Sequence, residues 1–301
     1  MTECERIIAE KVVPQEFLNE ETRCGFFVDS TRKKIWTIQL DLVRELSRAC
    51  EKLNIKFFIF AGSLLGAVRH HGFIPWDDDF DVALFRDDYE ILLNNSCFES
   101  PYFLQTPHTD PNYAFSFTRL VNDNTTFCSK MFSYQGYHAG ICIDIFPLDL
   151  WDIDRGTNLY SEIKHLNMEN STWMRMKNPH LDEQNKIRVQ QWSKIDPLSA
   201  YKEINRFAQT FQNEPVDYVA NAVTTVYPYG KEVFAKHTFD NAIMSPFENL
   251  SLPIPAGYHE ILSNTYGDYM SFPPLEIRGT RHKGVIIDPD IPYQVRLKNM
   301  D

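Results

Sequence analysis

The sequence lacks the excess of positive charge that is typical of nucleic-acid-binding proteins. It has 30 Lys and Arg residues against 41 Asp and Glu residues, which gives a formal net charge of −11. A protein that grips a phosphate backbone usually carries a basic surface, so we expect no nucleic-acid partner. A small or glycan-like partner fits this charge better.

Cysteines and long apolar runs are also scarce. The six cysteines are scattered and form no C-x-x-C pair, which argues against a zinc site or a disulfide framework and favours reduced thiols. No run of 18 apolar residues is present, and residues 1–13 lack the apolar centre of a signal peptide. We therefore expect a cytoplasmic protein without a transmembrane segment, either free or peripheral at the inner membrane face.

Several common enzyme signatures are missing as well. The sequence has no Walker A loop and no G-x-G-x-x-G run, and Ser63 lies outside any G-x-S-x-G motif. The zinc motif H-E-x-x-H begins at His259 but ends in Ser263. With 43% hydrophobic residues and no repeats, the chain is that of a globular protein with a sizeable core.

Hydrophobic periodicity predicts a mixed α/β fold. Apolar residues recur at spacings of three and four between Ser30 and Leu53, which predicts a long helix with Asp29 or Ser30 as its N-cap. Composition and spacing further predict strands at 56–60, 79–85, 102–106, 115–121 and 140–149, and helices at 64–71 and 86–95.

The pattern changes after Trp151. Residues 155–212 are polar with helical spacing, and the last third of the chain is mixed. We therefore predict a mixed α/β core at residues 1–150. A mainly helical and mixed region follows at 151–301.

Four aspartates stand close together in the run WDDDFDVALF. Two carboxylates about 4 Å apart repel by roughly 4 kcal/mol at the effective dielectric of a protein surface. In a strand, Asp79 and Asp81 would share one face while the apolar residues beside them enter the core. Such a pair suits a hard divalent cation, and a solvated acidic turn is the alternative. An EF-hand is excluded because Val82 and Asp88 stand where its loop needs Gly and Glu.

Further polar residues flank this pair in the sequence. Gly62 and Ser63 lie between a predicted strand and a short helix, where exposed N–H groups can hold a phosphate; a plain connection is the alternative. Arg69 and His70 follow and can supply positive charge. Asp144 lies in the apolar run ICIDIF, where an acid is expensive unless it is paired or metal-bound, so it is the candidate third carboxylate.

The run AGSLLGAVRHHGFIPWDDDFDVAL resembles the signature of the LicD/fukutin-related family of nucleotidyltransferase-fold enzymes. The family pattern is G-[ST]-L-[LI]-G-[AS]-x-R-H-x-G-x-I-P-W-D-D-D-x-D, and the chain matches it at every position from Gly62 to Asp81. Weaker agreement continues at 140–149, 254–270 and 281–293. Residues 151–245 contain no motif of the family.

The resemblance implies an α/β nucleotidyltransferase fold, in which helices flank a mixed sheet. It implies that residues 1–150 are the catalytic core and that residues 151–301 complete the donor and acceptor site. It implies that Asp79, Asp81 and Asp144 hold Mg²⁺ or Mn²⁺ and are catalytic, one of them helping to deprotonate the attacking hydroxyl. The donor-binding residues are then Gly62, Ser63, Arg69, His70, Trp76, His282 and Lys283. A quaternary ammonium would find aromatic faces at Trp76, Tyr134 or Tyr137, unless these rings belong to the core.

Members of this family move a phosphorylated small alcohol from a CDP-activated donor to a sugar hydroxyl. The resemblance therefore implies metal-dependent transfer of phosphocholine from CDP-choline, or of a similar phosphoalcohol from a related CDP-alcohol. The acceptor would be a glycan or a lipid-linked precursor, as in lipopolysaccharide or teichoic acid. The alternatives are nucleotidyl transfer with release of pyrophosphate, and a non-catalytic nucleotide-binding module of the same fold. The retained aspartates argue against the module.

Overall fold

The computed structural model describes residues 1–95, 98–192, 195–279 and 285–298. Within these ranges the helices are α1 (Glu3–Ala9), α2 (Ser30–Leu53), α3 (Ala61–His70), α4 (Arg86–Asn95), α5 (Gly156–Trp173), α6 (Glu183–Trp192), α7 (Pro197–Ala208), α8 (Tyr258–Tyr266) and α9 (Tyr293–Lys298). The strands are β1 (Glu21–Arg23), β2 (Phe26–Val28), β3 (Phe58–Ile59), β4 (Asp81–Phe85), β5 (Tyr102–Gln105), β6 (Thr118–Asn122), β7 (Thr126–Ser129), β8 (Ile141–Trp151), β9 (Tyr218–Ala220), β10 (Val233–Ala235), β11 (Ala242–Phe247), β12 (Leu250–Pro255) and β13 (Val285–Asp288).

The long helix α2 has the bounds that its apolar spacing predicts. Asp29 is its N-cap, and the Asp29 carboxylate accepts a hydrogen bond from the backbone N–H of Arg32 at 2.8 Å. The helix ends where Asn54 adopts a left-handed conformation with φ of 55°. The apolar face of α2 is buried and packs against β6 and β8. The predicted helix is confirmed.

One mixed sheet forms the centre of the fold. Its strands follow the order β10–β9–β8–β4–β3, and β6 pairs with the first half of β8 while carrying β5 on its other edge. Strands β4 and β8 are parallel, whereas the other pairs in this sheet are antiparallel. The mixed α/β class is confirmed. Strand β8 contacts three other strands, so its side chains lie at the centre of the molecule.

The sheet and the main hydrophobic core both extend past residue 150. The main core packs α2 against the sheet and includes residues as distant as Cys4 and Tyr269. A second core around Trp151 joins β9 to α5 and α7, and α5, α6 and α7 match the helical pattern after residue 151. The division into regions 1–150 and 151–301 stays a prediction about domains.

Two boundaries beside the aspartates differ from the prediction. Strand β4 begins at Asp81, so Asp79 lies in the connection before it. Helix α3 begins at Ala61, so Gly62 and Ser63 belong to its first turn. The reason is a direct link between the two elements, because the backbone N–H of Asp81 donates to Ser63 Oγ at 2.9 Å. The neighbouring strand β3 is also short, with pairing that ends at Val82.

Candidate active site

A cavity of about 630 Å³ opens beside the start of β4. Its charged lining residues are Asp77, Asp79, Asp81, Asp144, Glu232, Asp268 and Arg69, and its aromatic ones are Trp76, Phe117, Phe146, Tyr227, Tyr266, Tyr269 and Phe272. This volume is ordinary for a small-molecule site. The structure thus brings the three predicted carboxylates together with Gly62, Arg69 and Trp76 in one cavity.

Asp81 and Asp144 are direct neighbours across the parallel pair β4–β8. Neighbouring strands lie about 4.8 Å apart, so the two residues are held close by the sheet itself. Burial, together with the charges of Asp144, Asp77 and Glu232, raises the pKa of Asp81 well above its usual value. The backbone N–H of Gly62 opposes this rise by donating to the Asp81 carboxylate. A cation beside Asp81 would favour the ionised form of its carboxylate.

Asp79 lies in the connection that precedes β4 and has a similar electrostatic environment. Its side chain is hydrogen-bonded to that of Asp77, a contact that two carboxyl groups can make only when one of them holds a proton. Burial and the charge of Asp81 raise the pKa of Asp79 well above its usual value. Asp79 and Asp81 therefore form an acidic pair whose charge is not offset by a nearby basic residue of their own segment.

Three side chains of α2 hold the backbone of the acidic turn. Arg32 Nη1 and Trp36 Nε1 donate to the carbonyl of Asp77 at 2.6 and 3.1 Å. Gln39 Nε2 donates to the carbonyl of Asp78 at 3.0 Å. The spacing of four and three residues places these donors on one face of the helix. Sequence reasoning missed them, although their polar atoms interrupt an otherwise apolar stripe.

Arg119 is the cation nearest to the third carboxylate. Arg119 Nε donates to Asp144 Oδ1 at 2.8 Å, and the guanidinium lies 4.6 Å from the ring centroid of Phe115. The pairing of β6 with β8 sets this contact, since Arg119 and Asp144 are register partners. Sequence reasoning missed Arg119, although an arginine within the apolar run FSFTRLV was a signal.

Arg69 lines the same cavity from the last turn of α3. Arg69 Nη1 donates to the carbonyl oxygens of Tyr269 and Ser271 at 2.7 and 3.2 Å. Among the described residues it forms no ion pair with an acid. Its positive charge therefore stays available to a ligand, as the predicted contact with a donor phosphate requires.

His70 and Trp76 form an aromatic cluster beside Arg69. The His70 ring stacks on Phe272 at 5.4 Å, and burial lowers the pKa of His70 to about 4. His70 is therefore neutral at pH 7, which is a different role from the positive charge expected of it. The guanidinium of Arg278 lies 4.9 Å from the centroid of Trp76 and occupies one face of that ring.

Other predicted site residues lie elsewhere. Ser63 is buried and is engaged with the backbone of Asp81, as described above. Tyr137 belongs to a separate core with Cys128, and Tyr134 contacts His180. His282 and Lys283 lie outside the described residues. Their donor-binding role stays a prediction.

The donor chemistry of Asp79 and Asp81 fits a divalent cation. Carboxylate oxygens are the ligands that Mg²⁺ and Mn²⁺ prefer, and the pair is crowded with negative charge. Within residues 1–95, 98–192, 195–279 and 285–298, however, no three His, Cys, Asp or Glu side chains are spaced to hold one metal ion. Asp144 instead faces Arg119. The role of Asp79, Asp81 and Asp144 as metal ligands, and the metal itself, stay predictions.

Comparisons with known proteins agree with the signature run. Residues 54–180 match the family model described as LicD/FKTN/FKRP, nucleotidyltransferase domain. Lipopolysaccharide cholinephosphotransferase LicD of Haemophilus influenzae is 25% identical over 253 residues, which cover 81% of this chain and 92% of that protein. Ribitol 5-phosphate transferase FKRP of Homo sapiens is 36% identical over 80 residues, which cover 23% of this chain and 16% of that protein.

The matched region contains Arg119 and four of the cavity aspartates, Asp77, Asp79, Asp81 and Asp144, whereas Glu232 and Asp268 lie outside it. None of the helices in the described part of the chain has both the length and the apolar character needed to cross a membrane. The named relatives are transferases, and these matches support a transferase. These matches support a LicD/fukutin-related family for this chain, with the matched nucleotidyltransferase domain at residues 54–180.

Proposed function

We propose that this protein transfers a phosphoalcohol, phosphocholine in the first instance, from a CDP-activated donor to a sugar hydroxyl of a glycan or its precursor. The observation that carries the proposal is the charge arrangement in the cavity. Arg69, which has no acidic partner among the described residues, shares that cavity with Asp79 and Asp81, whose pKa values are raised by burial and by mutual repulsion. A diphosphate together with a cation would balance both.

Arg69 and the start of α3 would bind the donor diphosphate. The guanidinium can donate to phosphate oxygens, and the first turn of α3 adds the favourable end of the helix dipole. Gly62 keeps this approach open, since a Cβ at that position would lie 3.2 Å from Asp77 Oδ2. The donor would thus lie between Arg69 and the acidic turn.

Tyrosines offer aromatic surface for the alcohol or the base of the donor. Tyr227, Tyr266 and Tyr269 line the cavity, and aromatic faces attract a quaternary ammonium by about 0.5–2 kcal/mol each. Trp76 also lines the cavity, but Arg278 already covers one of its faces. We therefore expect the tyrosines to contribute more than Trp76 to any preference for choline.

The carboxylates and the acidic turn would position the reacting groups. A divalent cation at Asp79 and Asp81 would supply charge stabilisation at the phosphoryl oxygens. Arg32, Trp36 and Gln39 keep the turn in place through its carbonyls. Such positioning is the main requirement of phosphoryl transfer, because the protein has little covalent chemistry to perform.

Mass spectrometry of the products tests the proposal. Purified protein is incubated with Mg²⁺, a panel of sugar glycosides, and CDP-choline, CDP-ribitol or CDP-glycerol, with CTP in a parallel reaction. We expect CMP and a sugar phosphodiester, with CDP-choline preferred. Release of pyrophosphate from CTP without any CMP would contradict the proposal in favour of nucleotidyl transfer. Equal use of all three donors would remove the preference for choline, and no product from any donor would contradict the transferase.

A further inference from the structure

A fourth carboxylate, Glu232, reaches the cavity from the C-terminal part of the chain. It immediately precedes β10, and its backbone carbonyl accepts a hydrogen bond from the N–H of Asn221, which follows β9. Because β9 pairs with the second half of β8, this corner is brought beside the strand that carries Asp144. Glu232 thus faces the same space as the aspartates, although it is 88 residues away from Asp144 in the sequence.

The immediate neighbours of Glu232 are neutral. Asn221 Nδ2 donates to Glu232 Oε1 at 3.1 Å, and Thr224 also hydrogen-bonds to the glutamate side chain. In the described part of the chain no Lys, Arg or His forms an ion pair with Glu232. Its carboxylate is held in place by dipoles but is not neutralised, unlike that of Asp144, which Arg119 contacts at 2.8 Å.

One buried acceptor in the wall beside Glu232 has no hydrogen-bond donor among the described residues. Asn221 is 3% exposed and lines the cavity, yet its side-chain oxygen has no partner among the described residues. A buried acceptor without a donor costs about 1–3 kcal/mol. A substrate hydroxyl against this wall would supply the missing donor.

We propose that Glu232 is the base that accepts the proton of the sugar hydroxyl, an inference that rests on the proposed transferase function. This assignment replaces the expectation that one of the three aspartates takes that proton. A carboxylate that binds a cation has its lone pairs engaged, and Asp144 is engaged by Arg119. Glu232 lines the cavity, and its carboxylate is engaged neither by the proposed cation nor by Arg119.

Proton transfer to Glu232 accompanies the attack of the sugar hydroxyl on phosphorus. The hydroxyl proton moves to Glu232, and the hydroxyl oxygen forms a bond to the phosphorus that carries the alcohol. The bond from that phosphorus to the bridging oxygen breaks, and CMP leaves with the bridging oxygen and its electron pair. Glu232 then returns the proton to water. The products are a sugar phosphodiester and CMP.

The electrostatic surroundings suit this role at neutral pH. Burial raises the pKa of Glu232 to about 7, while Asn221 and Thr224 oppose the rise. Burial raises the pKa of Asp81 in β4, Tyr160 in α5 and Tyr266 in α8, and the charge of Glu232 adds to each rise. A base works best when its pKa lies near the operating pH.

The variant Glu232→Gln tests the inference, because the amide oxygen can still accept from Asn221 but cannot take up a proton. At saturating Mg²⁺ and CDP-choline we expect kcat to fall by about 10²–10⁴-fold. The KM for CDP-choline and the affinity for Mn²⁺ should stay within about twofold of the wild type. The wild-type kcat should rise with pH through about 7, and this rise should be absent in the variant.

Glu260→Gln is the matched control, because Glu260 is an exposed acid on α8 outside the cavity; its kcat should equal that of the wild type. In Glu232→Ala, added formate should restore kcat by at least about tenfold, as an external base. Formate should leave Asp81→Asn unchanged. Should Glu232→Gln fail to fold, Glu232→Asp serves in its place, and we expect it to retain the pH-dependent rise with a lower kcat.

The possible failures are distinguishable. If the wild type forms no phosphodiester from any CDP-alcohol, the proposed function fails and this inference fails with it. If the wild type is active and Glu232→Gln matches its kcat and pH profile, only the assignment of Glu232 is wrong. A loss of Mn²⁺ affinity in Glu232→Gln would make the residue a metal ligand and would also overturn the assignment.

Discussion

Strand β8 places one aspartate near each of its ends, and their charges are met in different ways. Asp149 is fully buried and receives two hydrogen bonds from Arg86, at 2.7 and 2.8 Å. Arg86 also donates to Asn205 at 2.8 Å, so a second buried side chain satisfies the guanidinium. Asp144, five residues earlier, pairs with Arg119 but also neighbours Asp81 across the sheet.

This difference separates a structural pair from a site. At Asp149 the guanidinium of Arg86 balances the buried carboxylate and also contacts Glu90 at 3.2 Å, and the Asp149 side chain is not exposed to a ligand. Arg119 contacts Asp144, but Asp79, Asp81 and Glu232 line the same cavity as Asp144 and have no such contact with Arg119. Acids with raised pKa values in one cavity are typical of functional sites. Sequence reasoning chose Asp144 from its apolar run, but the partners of the two aspartates follow only from the structure.

The largest expected effect concerns the buried pair of Arg86 and Asp149. Arg86→Met should lower the free energy of unfolding by about 3–5 kcal/mol, because it leaves Asp149 as a buried charge without a partner. Urea denaturation measures this change. The double variant Arg86→Met with Asp149→Leu should recover most of the loss. A cost below about 1 kcal/mol for the single variant would show that the buried charge of Asp149 does not depend on Arg86.

The next effect concerns the acidic pair of Asp79 and Asp81 in the cavity. Asp79→Asn and Asp81→Asn should each lower phosphoalcohol transfer by about 10²–10³-fold, because each removes a group that positions cation and donor. Without metal, neither variant should lose thermal stability, since each relieves repulsion between acids. Transfer assays and thermal unfolding measure the two properties.

Asp268→Asn is the control for these two variants, because Asp268 is an exposed acid that lines the same cavity. We expect it to change transfer by less than tenfold, given that its position is open to solvent. Wild-type turnover in a folded Asp81→Asn variant would refute the assignment of the acidic pair.

The smallest effect is on the pH dependence of stability. The pKa of Asp81 is raised in the folded state, so its contribution is fully present below the ordinary value of 3.8 and is lost as the pH rises through the folded pKa. His70 acts in the opposite sense: its pKa of about 4 lies below the ordinary 6.5, so acidification through this range destabilises the fold. Comparison with Asp81→Asn cancels the effect of His70.

In EDTA, the Tm of the wild type minus that of Asp81→Asn should therefore increase by a few degrees between pH 8 and pH 5. Differential scanning calorimetry measures this difference. The Asp268→Asn variant should show no such trend. A difference that is constant with pH would mean that Asp81 does not titrate in this range.

Local patterns predicted much of the fold. The bounds of α2 and α4 follow from apolar spacing, and the signature run located Asp79 and Asp81. The starts of α3 and β4 were placed wrongly because they depend on a bond between Ser63 and the backbone of Asp81. Such a contact joins residues that no periodic pattern connects.

Long-range pairing explains what the sequence could not predict about the site. Glu232 lies in the segment GKEVF, which has no motif, and it reaches the cavity only because β9 and β10 extend the sheet from β8. Arg119 meets Asp144 only through the register of β6 with β8. In both cases the sheet topology, which depends on distant parts of the chain, decides the contact.

Binding of Mn²⁺ tests most directly whether the acids that line the cavity beside Asp144 bind a divalent cation. Electron paramagnetic resonance of free Mn²⁺ is recorded during titration of the wild type and of Asp81→Asn, with and without CMP. We expect saturable Mn²⁺ binding to the wild type, which CMP strengthens, and an affinity for Mn²⁺ at least about tenfold weaker in Asp81→Asn. Equal binding by the two proteins, or no binding by the wild type in the presence of CMP, would contradict it.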